Sequence, residues 1–414
     1  MELLRFFTAG NVDDGKSTLI GRLLFDSNSI STDIIETLTR QSKAKGADVD
    51  IDLALLTDGL RAEREQGITI DVAYKYFTTE RRKFIIADTP GHLQYTRNMF
   101  TGASNADLAI ILVDARNGIT EQTKRHSIIA SILGIPRILV CINKMDLVNY
   151  DETAYKAIES EYEDFALELK LKNVSFIPTS ALTGENVVTP SQNLAWYAGP
   201  TFFEFLEQVE IPREEENQDA RFQVQYVIRP QTEELHDYRG YAGSVLTGSF
   251  TAGQEVSIFP GENQTRIAWI EKEGKEVAEA RAGEPIILHL ANDVDISRGS
   301  SIVPTDQAAL FDNNLNATIC WMDNTAYQAG QKLILQQNSF RTKVVIKNID
   351  SKIDIHSYGE LASDGTIQLN EFCKVQLKTA EALSFDPYAK NRKTGAFILI
   401  NQNTNNTIAA GVIH

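Results

Sequence analysis

Gly10, Gly15, Lys16 and Ser17 stand in the order G-x-x-x-x-G-K-[ST] within "GNVDDGKST". That spacing suits phosphate. Small residues let backbone N–H groups close around an anion, the lysine reaches the outer phosphates, and the hydroxyl is placed to ligate Mg²⁺. The run Gly10, Asn11, Val12, Asp13, Asp14, Gly15, Lys16, Ser17 and Thr18 is the first candidate binding segment. "DTPGH" supplies the second, with Asp88 to hold the Mg²⁺ shell, the Gly91 N–H to sense a γ-phosphate, and His92 to orient or activate the attacking water. Val12 is placed to gate that histidine. In "EREQGITIDVAY", Thr69 follows a charged stretch and can close over Mg²⁺ while the γ-phosphate is present.

The base is read from "NKMD". The Asp146 carboxylate can accept hydrogen bonds from both the N1–H and the 2-amino group of guanine. Adenine lacks that amino group, and the unpaired partner it would leave generates discrimination. Lys144 can lie along the base and the loop, and Asn143 can tie the segments together. Ser180, Ala181 and Leu182 follow the last apolar run and can offer a backbone N–H to guanine O6. The predicted ligands are GTP and Mg²⁺.

Elements must hold these motifs at one end of a sheet. Apolar runs predict strands at 3–10, 71–79, 82–89, 108–115, 137–144 and 174–180. They alternate with helical stretches such as "KSTLIGRLLFDS" and "DETAYKAIESEYEDFALEL". In "TERRKF", Arg81–Lys83 reads as a hairpin turn leading into a strand. The alternation predicts a doubly wound, mostly parallel α/β nucleotide domain over 1–211. A linker around "EIPREEENQDA" follows, then glycine-punctuated alternating strands. These predict two β-barrel domains, at 218–310 and 313–414, with a break near "DQAALFDNNLN".

The bulk properties narrow the partners. The formal net charge of −16 over 414 residues gives little attraction for phosphate backbones, so no nucleic-acid partner is expected. Apolar runs such as "ADLAIILVDA" fall well short of the roughly 20 residues of a membrane span, so no membrane association is expected. No leader is expected before "LLRFFTAG". Cys141, Cys320 and Cys373 match no zinc spacing and read as buried thiols in a reducing cytoplasm.

"GNVDDGKST", "EREQGITIDVAY", "DTPGH", "NKMD" and "SAL", followed by two barrels, resemble the elongation-factor-like P-loop GTPases along essentially the whole chain. Translational members usually carry histidine where this chain has Asp14. The Asp13–Asp14 pair, with "RLLFDS", "TDGLRAEREQGITIDVAYKYF", "QYTRNMFTGAS", "NLAWYAGPTFFEFLE", "RFQVQYVIRP" and "NRKTGAFILI", is similar to the GTP-binding subunits of bacterial sulfate adenylyltransferase. Leu93 departs from that pattern, since relatives commonly have an acid after the histidine. The resemblance implies GTP hydrolysis coupled to a separate ATP-binding adenylyltransferase subunit. That partner makes adenosine 5′-phosphosulfate and pyrophosphate from ATP and sulfate. Some members carry an adenylylsulfate kinase domain, which is not expected here because "AAGVIH" ends the third domain. The second reading is a translational GTPase delivering an RNA cargo. For Asp14 two roles stay open: tuning the loop electrostatically, or contacting the partner subunit.

Overall fold

Strand β4 (Leu108–Asp114) is buried at every position, and β5 (Arg137–Asn143) at all but its first. Strands of continuous apolar character lie in the middle of a parallel sheet covered on both faces, and these two do. The computed structural model describes residues 2–30, 33, 53, 71–91, 96–103, 105–169, 171–211, 218–230, 238–261, 263–354 and 359–414. The chain divides into two compact units, the first ending at Pro212 and the second beginning at Arg213.

In the first unit β1 (Glu2–Ala9), β2 (Ala73–Thr78), β3 (Arg82–Asp88), β4, β5 and β6 (Val174–Pro178) form one sheet in the order β2-β3-β1-β4-β5-β6. β2 and β3 make an antiparallel hairpin, and every other pairing is parallel. β1 therefore has β3 on one side and β4 on the other. The chain order reverses there, which opens a crevice beyond the strand ends. Register sets the motif residues level, with Thr8 opposite Asp88 and Asp114 opposite Asn143. Helices α1 (Lys16–Asp26), α2 (Thr96–Ala103), α3 (Glu121–Ile132), α4 (Glu152–Glu168) and α5 (Phe202–Gln208) complete the described part. α1 buries Leu19, Ile20, Leu23 and Leu24 into a core shared with Phe6, Ile86, Ile110, Leu112 and Leu139.

The hairpin turn expected at Arg81–Lys83 leads into β3, and Arg82 opens the strand predicted at 82–89. Alternation points Arg82 inward. Its guanidinium donates to the Leu206 and Val209 carbonyls at 3.0 and 2.8 Å and pairs with Glu2.

The second unit contains two six-stranded antiparallel barrels. One runs in the ring order Arg221–Ile228, Gly240–Thr247, Pro285–Leu290, Asn263–Lys272, Glu255–Phe259 and Ser301–Pro304. The other runs Leu310–Trp321, Phe372–Phe385, Phe340–Ile353, Leu333–Gln337, Ala396–Asn401 and Thr407–Ile413. Closure removes the edges that an open sheet would expose. The break expected at "DQAALFDNNLN" is shorter than the sequence suggests, since a strand begins at Leu310. The irregularity there is a register shift at Asp312/Asn314, where the Asp312 carboxylate accepts the Asn313 and Asn314 N–H groups. Arg221 and Asp386 join the barrels through hydrogen bonds of 2.9 and 2.8 Å, with Thr394 Oγ1 donating to the same carboxylate. Asn391 Nδ2 adds a bond to Thr247 Oγ1, so "NRKTG" closes the junction. Cys141, Cys320 and Cys373 are all buried free thiols.

Candidate nucleotide site

Between β1 and α1 the chain turns at Gly15, whose φ of 91° only glycine adopts freely. A Cβ there would also lie 2.6 Å from Asn143 Nδ2. Three neighbouring helices have side-chain caps: Thr120 with Thr123 on α3, Asp151 on α4, and Thr201 with Glu204 on α5. α1 has none, so its first N–H groups are left for an anion. Lys16 Nζ donates to the Gly10 and Asn11 carbonyls at 2.9 and 3.0 Å. An ammonium has three donors, so one remains for a phosphate oxygen. Burial lowers the Lys16 pKa against the pull of Asp88, Asp14 and Asp13.

The end of β3 is pressed against this loop. A Cβ on Gly91 would lie 2.7 Å from Lys16 Nζ and closer still to the Gly10 carbonyl oxygen, so glycine is needed for the approach. Asp88 is buried and accepts from Thr8 Oγ1 at 3.0 Å, while Thr89 Oγ1 donates to the Thr8 carbonyl at 2.6 Å. Ser17 and Thr18 are half-buried in the first turn of α1. Val12 is half-buried, its N–H held by Asn11 Oδ1 at 2.9 Å. His92, Leu93 and Thr69 lie outside the described residues.

Asn143 ties three segments at the end of β5. Its Nδ2 donates to the Asp14 carbonyl at 2.8 Å, and its Oδ1 accepts from the Ala181 N–H at 2.9 Å. Lys144, at φ 62°, donates to Asp114 Oδ2 at 2.9 Å and to the Asp13 carbonyl. Arg116 donates to both oxygens of the same Asp114 carboxylate, at 3.0 and 2.6 Å. Burial alone would raise the Asp114 carboxyl, but the Arg116 and Lys144 hydrogen bonds outweigh it and hold it well below the usual carboxylate range. Asp146 differs from all of these, because its Oδ1 is buried without a hydrogen-bond partner. Such an atom costs about 1–3 kcal/mol unless something donates to it. A guanine edge, with its N1–H and 2-amino donors, fits that need. In "SAL" the Ser180 and Ala181 N–H groups are engaged by the Glu185 carbonyl and Asn143 Oδ1. The Leu182 N–H is the one without a partner among the described residues.

Sequence reasoning missed several residues that shape the site. Arg22 of α1 donates to the Ala181 and Leu182 carbonyls at 3.2 and 2.6 Å, fixing "SAL" to the phosphate-loop helix. His126 of α3 is buried, with its Nδ1 unpartnered. Burial, aided by the Lys16 and Arg125 charges, pushes its pKa down to about 3. The only sequence signal was a run of polar residues, "EQTKRHS", on a helix that packs against the sheet. No helix among the described residues is long and apolar enough to cross a membrane.

Comparison with known proteins agrees with this geometry. The family described as "Elongation factor Tu GTP binding domain" matches residues 1–212, and "GTP-eEF1A C-terminal domain-like" matches 314–414. "Sulfate adenylyltransferase subunit 1" of Alteromonas mediterranea is 45% identical over 413 residues, covering 100% of this chain and 87% of the relative. The "Bifunctional enzyme CysN/CysC" of Mycobacterium tuberculosis is 48% identical over 412 residues, covering 99% of this chain and 67% of the relative. Among solved structures, the GTP-bound Ski7 GTPase-like domain of S. cerevisiae covers 100% of this chain and 97% of its own, with 19% identity and a TM-score of 0.52, a likeness of fold. Fold and site together define an elongation-factor-like GTPase. Within that class, the chain belongs to the sulfate adenylyltransferase subunit 1 family.

Proposed function

We propose that this chain binds and hydrolyses GTP as the regulatory subunit of sulfate adenylyltransferase, driving a separate ATP-binding subunit that converts ATP and sulfate into adenosine 5′-phosphosulfate and diphosphate. The observation that carries the reading is the end-to-end likeness to subunit 1 relatives. The unpaired Asp146 oxygen supports guanine as the base. The uncapped α1 and the remaining Lys16 donor support a phosphate chain beside it. Mg²⁺, held by Ser17, Asp88 and Thr69, would neutralise charge on the transferred phosphoryl group. His92 orients the attacking water, and Gly91 carries the γ-phosphate contact into the segment around it. Domains at 1–211, 218–310 and 313–414, and a cytoplasmic location, belong to the same reading.

A mixed phosphate–sulfate anhydride is high in energy, so its formation is uphill. A switch can drive it only by binding the partner differently in its two nucleotide states. The translational alternative is not favoured, since the full-length relatives are sulfate-activating proteins. The test is GTP hydrolysis by this chain alone and with the adenylyltransferase subunit, with and without ATP and sulfate. Stimulation that needs the partner and both substrates, together with a GTP-dependent rise in adenosine 5′-phosphosulfate, is expected. Equal hydrolysis in all mixtures, with product yield indifferent to GTP, would overturn the coupling.

A further inference from the structure

Asp14 is the acid for which the sequence left two roles open, and its position decides between them. Its side chain lies inside the phosphate loop and the residue is only 3% exposed, so it cannot form part of a docking surface. One carboxylate oxygen accepts the Asn11 N–H, and the same oxygen would sit 3.2 Å from a Cβ on Gly10. The Asp14 carbonyl is held separately by Asn143, so the side chain is not needed to join the loop to the base motif.

Two consequences bear on a bound phosphate. Backbone N–H groups of such a loop are its phosphate donors, and here the Asn11 N–H is taken by a carboxylate of the chain itself. The carboxylate also places a negative charge among groups that must hold other negative charges. Burial disfavours that charge and raises the Asp14 carboxyl, with Asp114 adding to the rise, while the Asn11 N–H, Lys16 and Lys144 pull the other way. Near bound phosphates, little water can screen the repulsion.

We propose that Asp14 is a release element: a buried carboxylate that weakens the hold of the phosphate loop and sets how fast GDP leaves. The inference rests on the GTP-binding reading above. Its sign separates it from a merely structural role. If Asp14 only braced the loop, removing it would loosen nucleotide binding, whereas a release element predicts tighter binding when the charge goes.

The experiment is displacement of a fluorescent GDP analogue from the full chain, followed in time, for the native protein, Asp14→Asn and Asp14→Ala. Asp14→Asn keeps the shape and an acceptor for the Asn11 N–H while removing the charge, so it guards against an Asp14→Ala variant that fails to fold. Expected is slower release from Asp14→Asn, by roughly tenfold, with a matching gain in affinity. Guanosine, which has no phosphate, should bind the native chain and Asp14→Asn equally. Unchanged or faster release from Asp14→Asn overturns the proposal and leaves GTP binding standing. A native chain that binds neither GDP nor GTP overturns the nucleotide reading and this inference with it.

Discussion

Two polar interior regions among the described residues are built on opposite rules. At the barrel junction, every nitrogen of the Arg221 guanidinium has an acceptor, in Asp386, Asp219 or the Ala220 and Gln307 carbonyls. Asp386 in turn receives Arg221 and Thr394. At the open end of the parallel sheet, α1 lacks a side-chain cap and Asp146 Oδ1 lacks a donor. Buried polar groups are nearly always paired, so an orphan calls for an explanation. The junction is complete in itself and needs nothing added. The sheet end leaves groups open, and under the proposed function a guanine nucleotide would fill them, with its N1–H and 2-amino edge at Asp146.

The contrast breaks most sharply at Asp146. Asp146→Asn replaces an acceptor-only carboxylate with an amide that presents donors to the guanine edge. GTP affinity is expected to fall on the order of 10⁴-fold, the scale on which a hydrogen-bonding site rejects a mismatched partner. Competition between GTP and xanthosine triphosphate measures it, since the C2 oxygen of xanthine accepts from an amide. Retained preference for GTP would remove Asp146 from base reading. At the junction the expected loss is smaller and of another kind. Asp386→Ala strands a guanidinium whose side chain is 3% exposed, at about 3–5 kcal/mol. Urea unfolding followed by fluorescence of the buried Trp321 reads it. The double variant Arg221→Met with Asp386→Leu should recover much of that loss, because an apolar pair needs no partners. An Asp386→Ala variant as stable as the native chain would mean that the junction is not the closed network its hydrogen bonds describe.

What was legible in the sequence follows the same division. Residues whose types the proposed nucleotide would dictate, such as Lys16, Asn143 and Asp146, stand in short motifs and are readable without a fold. The sheet and the barrels are readable too, because burial on both faces makes β4 and β5 continuously apolar and burial on one face writes a two-residue period into barrel strands such as Phe340–Ile353. Arg82, Arg22 and Arg221 were not readable. Their partners are carbonyls or carboxylates far along the chain, such as Leu206 for Arg82 at a separation of 124 residues, and no local pattern marks such a pairing. Arg82 was read at the start of a strand, but nothing local said that its guanidinium turns inward. The strand beginning at Leu310 was hidden for another reason. Asp312, Asn313 and Asn314 have loop composition, yet they form a bulge that keeps the strand running. Asp14 lies between these cases, since its presence was noticed and its burial was not.

His126 sharpens the comparison at the smallest scale, because it is an orphan beside the site rather than in it. Its imidazole is held neutral, with a pKa near 3 against an ordinary value of 6.5. In the unfolded chain the same ring takes up a proton as pH falls through 6.5, while in the folded chain it cannot. The unfolded state then binds more protons, so stability is fully present above pH 6.5 and is lost progressively on the way down to about 3. Between pH 7 and pH 5 the loss from this one ring is about 2 kcal/mol, at roughly 1.4 kcal/mol per unit. Hydrogen exchange of α3 amides in the full chain at the two pH values measures it, corrected for the intrinsic pH dependence of exchange. Protection should fall with acidity in the native chain and fall less in His126→Gln, whose amide does not titrate. Identical acid sensitivity in the two proteins would show that a ligand-free partner, not proton exclusion, satisfies the ring. His126 would then belong with the closed network of the barrels rather than with the open end of the sheet.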